Sequence, residues 1–270
     1  MTSRRVCAAL LAACAVGGGV GAATAAHAFQ YQGSANGVPA PVFPSAAGIA
    51  AAEAYLDGRA GSNGFAVVDT AGQLSGVRMH ERFHSASLVK AMLLVAYLRM
   101  LDAQHRGLDA ASMALLYPMI HVSDNDAASA VFAIVGGAGL TELAQAAGMT
   151  DFALDPGGAW GLTEISAADQ ARFFYEQDQL IPPQFVSYAR GLLSGIAADQ
   201  SWGIPAAARP AFDVFFKGGW LPETGWTVNQ AARLERPGQT IALAVLTAGD
   251  PSMLYGEQTL QGATARLLGA

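Results

Sequence analysis

Only two of the fifteen basic residues in this 270-residue chain are lysines, Lys90 and Lys217, and each stands in a stretch that could do chemistry. Ser87 lies three residues before Lys90, where an apolar run, 91–98, begins. Positions i and i+3 share one face of a helix, so the spacing predicts the lysine amine beside the serine hydroxyl. A hydroxyl attacks poorly unless a base removes its proton. A lysine can be that base where burial or a neighbouring cation lowers its pKa. The first turn of a helix also favours developing negative charge, through its free N–H groups and its dipole. Taken alone, the pair equally describes a serine near a helix start and a lysine on a solvated face.

Two further stretches carry polar groups of the right kind. Ser123-Asp124-Asn125 precedes an apolar run at 127–135. An Asp or Asn in that place is a helix-start signal, so Ser123 could be a cap and Asn125 a turn residue. Lys217 ends the strand-like segment 212–217 and is followed by Gly218, Gly219 and Trp220. Paired glycines let a backbone approach a ligand closely. The bland alternative for Lys217 is one cation at an exposed strand end.

The elements that must position these groups are readable from periodicity and punctuation. A helix is expected over 46–59. A buried strand at 65–69 turns at 70–73 into a second strand ending near Arg82. The Ser87 helix runs to about Gln104, and a shorter helix at 109–120 is interrupted near Pro118. The helix after Asn125 stops at Gly136-Gly137, and another spans 139–147. Residues 151–164 form a loop. Ser166 opens the next helix, with Asp169 as a capping-box acid, and Pro182-Pro183 starts a further one to about Leu193. Three strands follow at 212–217, 225–234 and 241–247, the last two joined as a hairpin through 236–239. A final helix covers 252–268. Strands at both ends around a helical middle predict an α/β (α+β) fold: a five-stranded antiparallel sheet flanked by helices, with an all-helical lobe of about 100–205 inserted.

Composition narrows the class. Residues 1–28 read as an export signal, with Arg4 and Arg5, an apolar run, and the cleavage-site pattern Ala26-His27-Ala28. A competing reading takes 11–14 as a lipobox, with Cys14 the lipidated residue. Residues 29–45 are a polar linker rich in Pro and Gly, and 46–270 are the folded domain. No other stretch is expected to span a bilayer. The net charge is −6, and no basic run exists, which argues against nucleic acid. Both cysteines, Cys7 and Cys14, fall in the signal, leaving no disulfide or thiol nucleophile beyond it. His80, His84, His105 and His121 have no metal-ligand spacing. No metal or cofactor is expected, and the protein reads as a monomer.

In order, Ser87-x-x-Lys90, Ser123-Asp124-Asn125 and Lys217-Gly218-Gly219 resemble the motif set of the serine β-lactamase and penicillin-binding protein superfamily, nearest its class A branch. The resemblance spans roughly 46–268. A Ser-Asp-Asn tripeptide is expected by chance about 0.01 times in this composition, so three motifs in order are specific. The resemblance implies Ser87 as the acylated nucleophile, Lys90 as its base or relay, and Ser123 as the proton donor to the leaving nitrogen. It implies that Asn125 binds the substrate's side-chain carbonyl and that Asp124 holds the loop. Lys217 would attract the substrate carboxylate and keep Lys90 from easy protonation. The backbone N–H groups of Ser87 and Trp220 would form the oxyanion hole.

Two departures stand out. Gly218 replaces the usual Thr or Ser, which predicts weaker or different carboxylate recognition. The loop before Ser166 is short and lacks the glutamate and asparagine that serve deacylation in class A enzymes; Asp155 is a possible substitute, although its Asp-Pro-Gly context fits a turn. Three functions remain open. One is an exported β-lactam hydrolase working through an acyl-enzyme. Another is a D-alanyl peptidase or other amide or ester hydrolase that releases β-lactams slowly. The third is a non-catalytic envelope module that keeps the fold. Small-molecule or peptide-like substrates are the expected partners.

Overall fold

The computed structural model describes residues 42–269. The expected signal, the Cys14 lipobox and most of the expected linker lie outside the described residues. The sheet has five antiparallel strands, β1 (Ser62–Val68), β2 (Leu74–Val77), β5 (Asp213–Glu223), β6 (Gly225–Arg236) and β7 (Gln239–Asp250), in the order β2-β1-β7-β6-β5. The two ends of the chain therefore meet at the β1–β7 pairing, Ser62 opposite Ala248 through Val68 opposite Ala242. β6 and β7 form the expected hairpin, closed through Gly238 at φ 75°, a backbone state that glycine adopts without steric cost.

Helices cover the sheet on both faces because its strands are buried on both. β1 is buried from Asn63 to Val68, and β7 from Ile241 to Thr247. α1 (Ala46–Asp57) packs on α8 (Met253–Leu268), which lies on β6 and β7, while α5 (Ala167–Leu180) packs on β1, β6 and β7. α5 thus belongs to the sheet layers, although its sequence falls within the expected 100–205 lobe. The lobe itself is built from α3 (Ala110–His121), α4 (Asn125–Ala146) and α6 (Val186–Ser194) around α2 (Val89–Ala103). α7 (Ile204–Ala208) sits back against α8. α2 is buried without a break from Val89 to Leu98; a helix apolar all round is a core helix.

Several boundaries differ from the sequence reading. The second strand stops at Val77, and the chain enters a separate short strand, β3 (Arg82–His84), which pairs with β4 (Glu164–Ser166). Pro118 does not interrupt α3; the helix continues to His121, and Pro118 O accepts from both Val122 and Asp124 N–H. At Gly136 the chain leaves helical geometry (φ 69°, ψ 169°), so the expected break at Gly136-Gly137 is present and residues 125–146 are two helices meeting at a kink. Residues 125–146 are long and apolar enough to cross a membrane by length and composition, which the sequence reading did not anticipate. In this fold the helix buries Ala127, Ala128, Val131, Leu140, Leu143 and Ala144 in the core. Ser166 caps α5 through Asp169 N–H, but Asp169's own carboxylate accepts from Thr150 and Asp151 N–H at 3.1 and 2.8 Å. That ties the preceding loop to the helix in place of the reciprocal capping-box bond.

Candidate active site

Ser87 sits in a single 3-10 turn, Ala86–Leu88, that leads directly into α2. Ala86, just before it, holds φ at 46°. A non-glycine residue in the left-handed region costs roughly 1–2 kcal/mol, and such strain gathers where surrounding packing fixes a functional geometry. Three contacts fix this one. Ser85 is fully buried, and its one hydroxyl hydrogen faces three carbonyls, Ala86 O at 3.2 Å, Gly161 O at 3.4 Å and Trp160 O at 3.5 Å. Asn229 Nδ2 donates to His84 O at 2.8 Å. A side chain at Gly219 would bring its Cβ within 2.5 Å of Leu88 N and 2.7 Å of Ser87 N. Gly219 is therefore glycine so that edge strand β5 can lie against the serine's own backbone; the expectation of close approach to a ligand is replaced by close approach to the nucleophile turn. Trp220 follows on the same strand, and with Ser87, Ala86, Asn125 and Leu221 it lines a cleft of about 290 Å³.

Lys90 is fully buried in the first turn of α2. Its amine donates to Ser123 O at 2.5 Å, Ser123 Oγ at 3.1 Å and Asn125 Oδ1 at 2.8 Å. Those three bonds match the three hydrogens of an ammonium. Among the described residues no hydrogen bond joins the amine to Ser87 Oγ, one helical turn away. Catalytic bonds are often long in a free enzyme and tighten with substrate. Lys217, also fully buried, donates to the same Ser123 Oγ at 3.1 Å and to Gly218 O at 2.8 Å. Ser123 is thus the bridge between the two lysines. It is placed there by a left-handed backbone, φ 59°, while Asp124 caps α4 by accepting Ala127 N–H at 2.7 Å.

The electrostatics follow from this crowding. Burial lowers Lys90 to about 8, against the opposing pull of the Asp124 carboxylate. Burial, then repulsion from Lys90, lowers Lys217 well below its ordinary value. Asn125 has its Oδ1 held by Lys90, which leaves its Nδ2 as the donor that can face a ligand.

The space beside Gly218 is tight. A Cβ on Gly218 would lie 3.2 Å from the Trp202 ring and 3.4 Å from Gln230 Cγ. Trp202 stacks edge-on with Trp220 at 6.0 Å. The Gln230 amide is engaged, accepting Ile204 N–H at 2.7 Å and donating to Trp202 O at 2.9 Å. On the opposite side, residues 159–162 form the cleft wall. Asp155 does not reach the site: its Oδ2 accepts Ala159 N–H at 2.9 Å within its own turn. Glu164 pairs with Arg82 at 3.1 Å. The Trp160 ring instead lies 5.0 Å from the Lys90 amine.

The structure thus brings Lys90, Ser123, Asn125 and Lys217 into one hydrogen-bonded group, with Ser87 and Trp220 on the adjoining cleft, Gly219 against the Ser87 turn and Gly218 against Trp202 and Gln230. Sequence reasoning missed Trp160, Trp202, Gln230 and Asn229. A tryptophan amid Gly157, Gly158 and Gly161 in the 151–164 segment was the available signal for Trp160; the other three carry none without the strand register. Among the described residues no His, Cys, Asp and Glu group could hold a metal ion.

The profile of the Beta-lactamase enzyme family matches residues 112–269. Among solved structures, the chain is similar to a β-lactamase from Sphaerobacter thermophilus, with TM-score 0.70 and 22% identity, covering 81% of this chain and 95% of that one. It is similar to a class A β-lactamase from Bacteroides cellulosilyticus, with TM-score 0.71 and 16% identity over 81% and 94% of the two chains. It also resembles PBP-A, with TM-score 0.68 and 17% identity over 81% and 93%. At these identities the structural likeness speaks for the fold. Comparison with curated proteins gave no match.

Proposed function

This chain belongs to the beta-lactamase enzyme family, and from that premise we propose that it is an exported serine hydrolase that opens a β-lactam ring through an acyl-enzyme on Ser87. The observation that carries this reading is Ser123 Oγ held 3.1 Å from each of two buried lysine amines beside the Ser87 cleft. Such an arrangement moves protons. The neutral Lys90 amine, accessible because burial brings it to about 8, takes the Ser87 proton as Oγ bonds to the lactam carbon. The carbonyl oxygen, now negative, is met by the N–H groups of Ser87 and Trp220. Ser123 donates its proton to the ring nitrogen as the C–N bond breaks and is resupplied from the lysines. Asn125 Nδ2 binds the substrate's side-chain carbonyl. Water then cleaves the ester.

The substrate is a small molecule or short peptide, and no nucleic acid, cofactor or second copy of the chain enters the scheme. Export rests on the leader reading of 1–28, with lipidation at Cys14 as its variant. A chromogenic cephalosporin tests the proposal: steady turnover that disappears in Ser87→Ala supports it, and no turnover at micromolar enzyme overturns it.

A second reading is favoured by one observation, the absence of a carboxylate from the wall at 159–162. On this reading the natural substrate is a D-alanyl peptide or another amide or ester, and β-lactams are released slowly. Release of D-alanine from a D-alanyl-D-alanine peptide, together with a long-lived penicilloyl adduct, would select it. Covalent labelling of Ser87 by a fluorescent penicillin excludes a purely non-catalytic module.

A further inference from the structure

We propose that Trp160 sets the lifetime of the Ser87 ester by keeping water off it. The inference rests on the acylation of Ser87 proposed above. The loop side of the cleft is made by Ala159, Trp160, Gly161 and Leu162, and the side-chain polar groups on and beside that wall are engaged elsewhere. The indole N–H donates to Ser129 Oγ at 3.2 Å. The carbonyls of Trp160 and Gly161 turn toward Ser85 Oγ. Asp155 caps its own turn and Glu164 pairs with Arg82. Lys90 has the indole 5.0 Å from its amine and its hydrogen bonds on Ser123 and Asn125. An ordered water needs two to four polar partners, and the side chains of Ala159, Trp160, Gly161 and Leu162 offer it no free one.

Hydrolysis requires such a water. Its oxygen bonds to the acyl carbon, the bond from that carbon to Ser87 Oγ breaks, and a water proton ends on Oγ, leaving a carboxylic acid and the free serine. Trp160, with Ala159, lines both the Ser87 cleft and a second cavity of about 230 Å³. That cavity includes Thr163, fully buried, whose Oγ1 has no partner among the described residues. Removing the indole would join the two spaces and admit water to a place with a hydroxyl to hold it.

The test uses the purified protein and its Trp160→Ala and Trp160→Phe variants, each acylated with benzylpenicillin, freed of excess reagent and followed by intact mass. Decay of adduct already formed does not depend on how fast it formed. The Trp160→Ala adduct is expected to decay roughly tenfold faster or more, about 1.4 kcal/mol off the barrier, while Trp160→Phe, which keeps an apolar ring, retains the slow decay. Equal decay in the parent and Trp160→Ala overturns the proposal. If Trp160→Ala does not fold, Trp160→Gln carries the test by placing a water-binding amide on the same wall, and decay at the parent rate there overturns it equally. A parent protein that forms no adduct overturns the acylation reading instead.

Discussion

The two walls that face Ser87 differ in nearly every physical respect. The wall made by α4 and β5 is dense with hydrogen bonds: Ser123 Oγ meets both lysines, Asn125 anchors Lys90, and Lys217 reaches Gly218 O. The wall made by 159–162 presents an indole face, small side chains and backbone turned the other way. A buried polar network is stable only when its members are satisfied, so the first wall survives as a unit. The second has no such constraint, and an aromatic ring can occupy it. The difference teaches that the groups for forming an ester and the groups for cleaving it are separable in this fold. Here the wall of α4 and β5 carries the hydrogen-bonded lysines and Ser123, and the wall at 159–162 carries no side-chain carboxylate.

The largest expected effect is loss of all covalent labelling in Ser87→Ala, read by intact mass after penicillin; label retained elsewhere would mean that the polar wall serves another nucleophile. Lys217→Met removes one of the two amines on Ser123 and should slow acylation by about 10²–10³-fold, within the range of a positioned proton-transfer group. Stopped-flow acylation rates near the parent value would show that the β5 side of the network is only structural.

The pH dependence sharpens the same contrast. Acylation should rise about tenfold per pH unit and level off near pH 8, as Lys90 loses its proton, whereas decay of the adduct should not follow that profile. Stability carries the matching sign. Both lysines are lowered by burial in the folded chain, so between about pH 8 and the ordinary lysine value the unfolded chain holds more protons. For Lys90 the cost of burial is full below that window and shrinks as pH rises through it, and Lys217 contributes a change of the same sign. Thermal midpoints across pH 7–10 check this.

Gly219→Ala tests the seam between β5 and the nucleophile turn. Its Cβ would stand 2.5 Å from Leu88 N, so the variant should lose about 1–3 kcal/mol of stability, as overpacked sites do. Urea titration measures it, and a neutral result would mean the seam can part. The smallest change is expected for Ser129→Ala, which frees the indole N–H and should cost about 1 kcal/mol or less, with a modest acceleration of adduct decay.

Much of the fold was legible because its signals are local. Apolar runs gave β1, β7 and α2, the 236–239 turn gave the hairpin, and the division into terminal strands and a helical middle gave the sheet. The lapses came where a nonlocal partner decides. Nothing in 78–84 announces that Glu164–Ser166 will pair with Arg82–His84, and nothing in α5's sequence says that it lies on the sheet. Pro118 was read as a break, yet α3 runs through it to His121.

The sequence by itself determined the chemistry available, because residue identity is chemistry: two lysines, each beside a motif, a serine three residues from one of them, and a loop without the expected acid. Tertiary structure alone decided which atoms share a proton. Ser123 reaches both amines because its backbone is left-handed and β5 lies flush against the Ser87 turn, a closeness that Gly219 permits. It also put an indole where an acid was missing, since what fills a wall depends on the volume left by packing, which spacing along the chain does not encode.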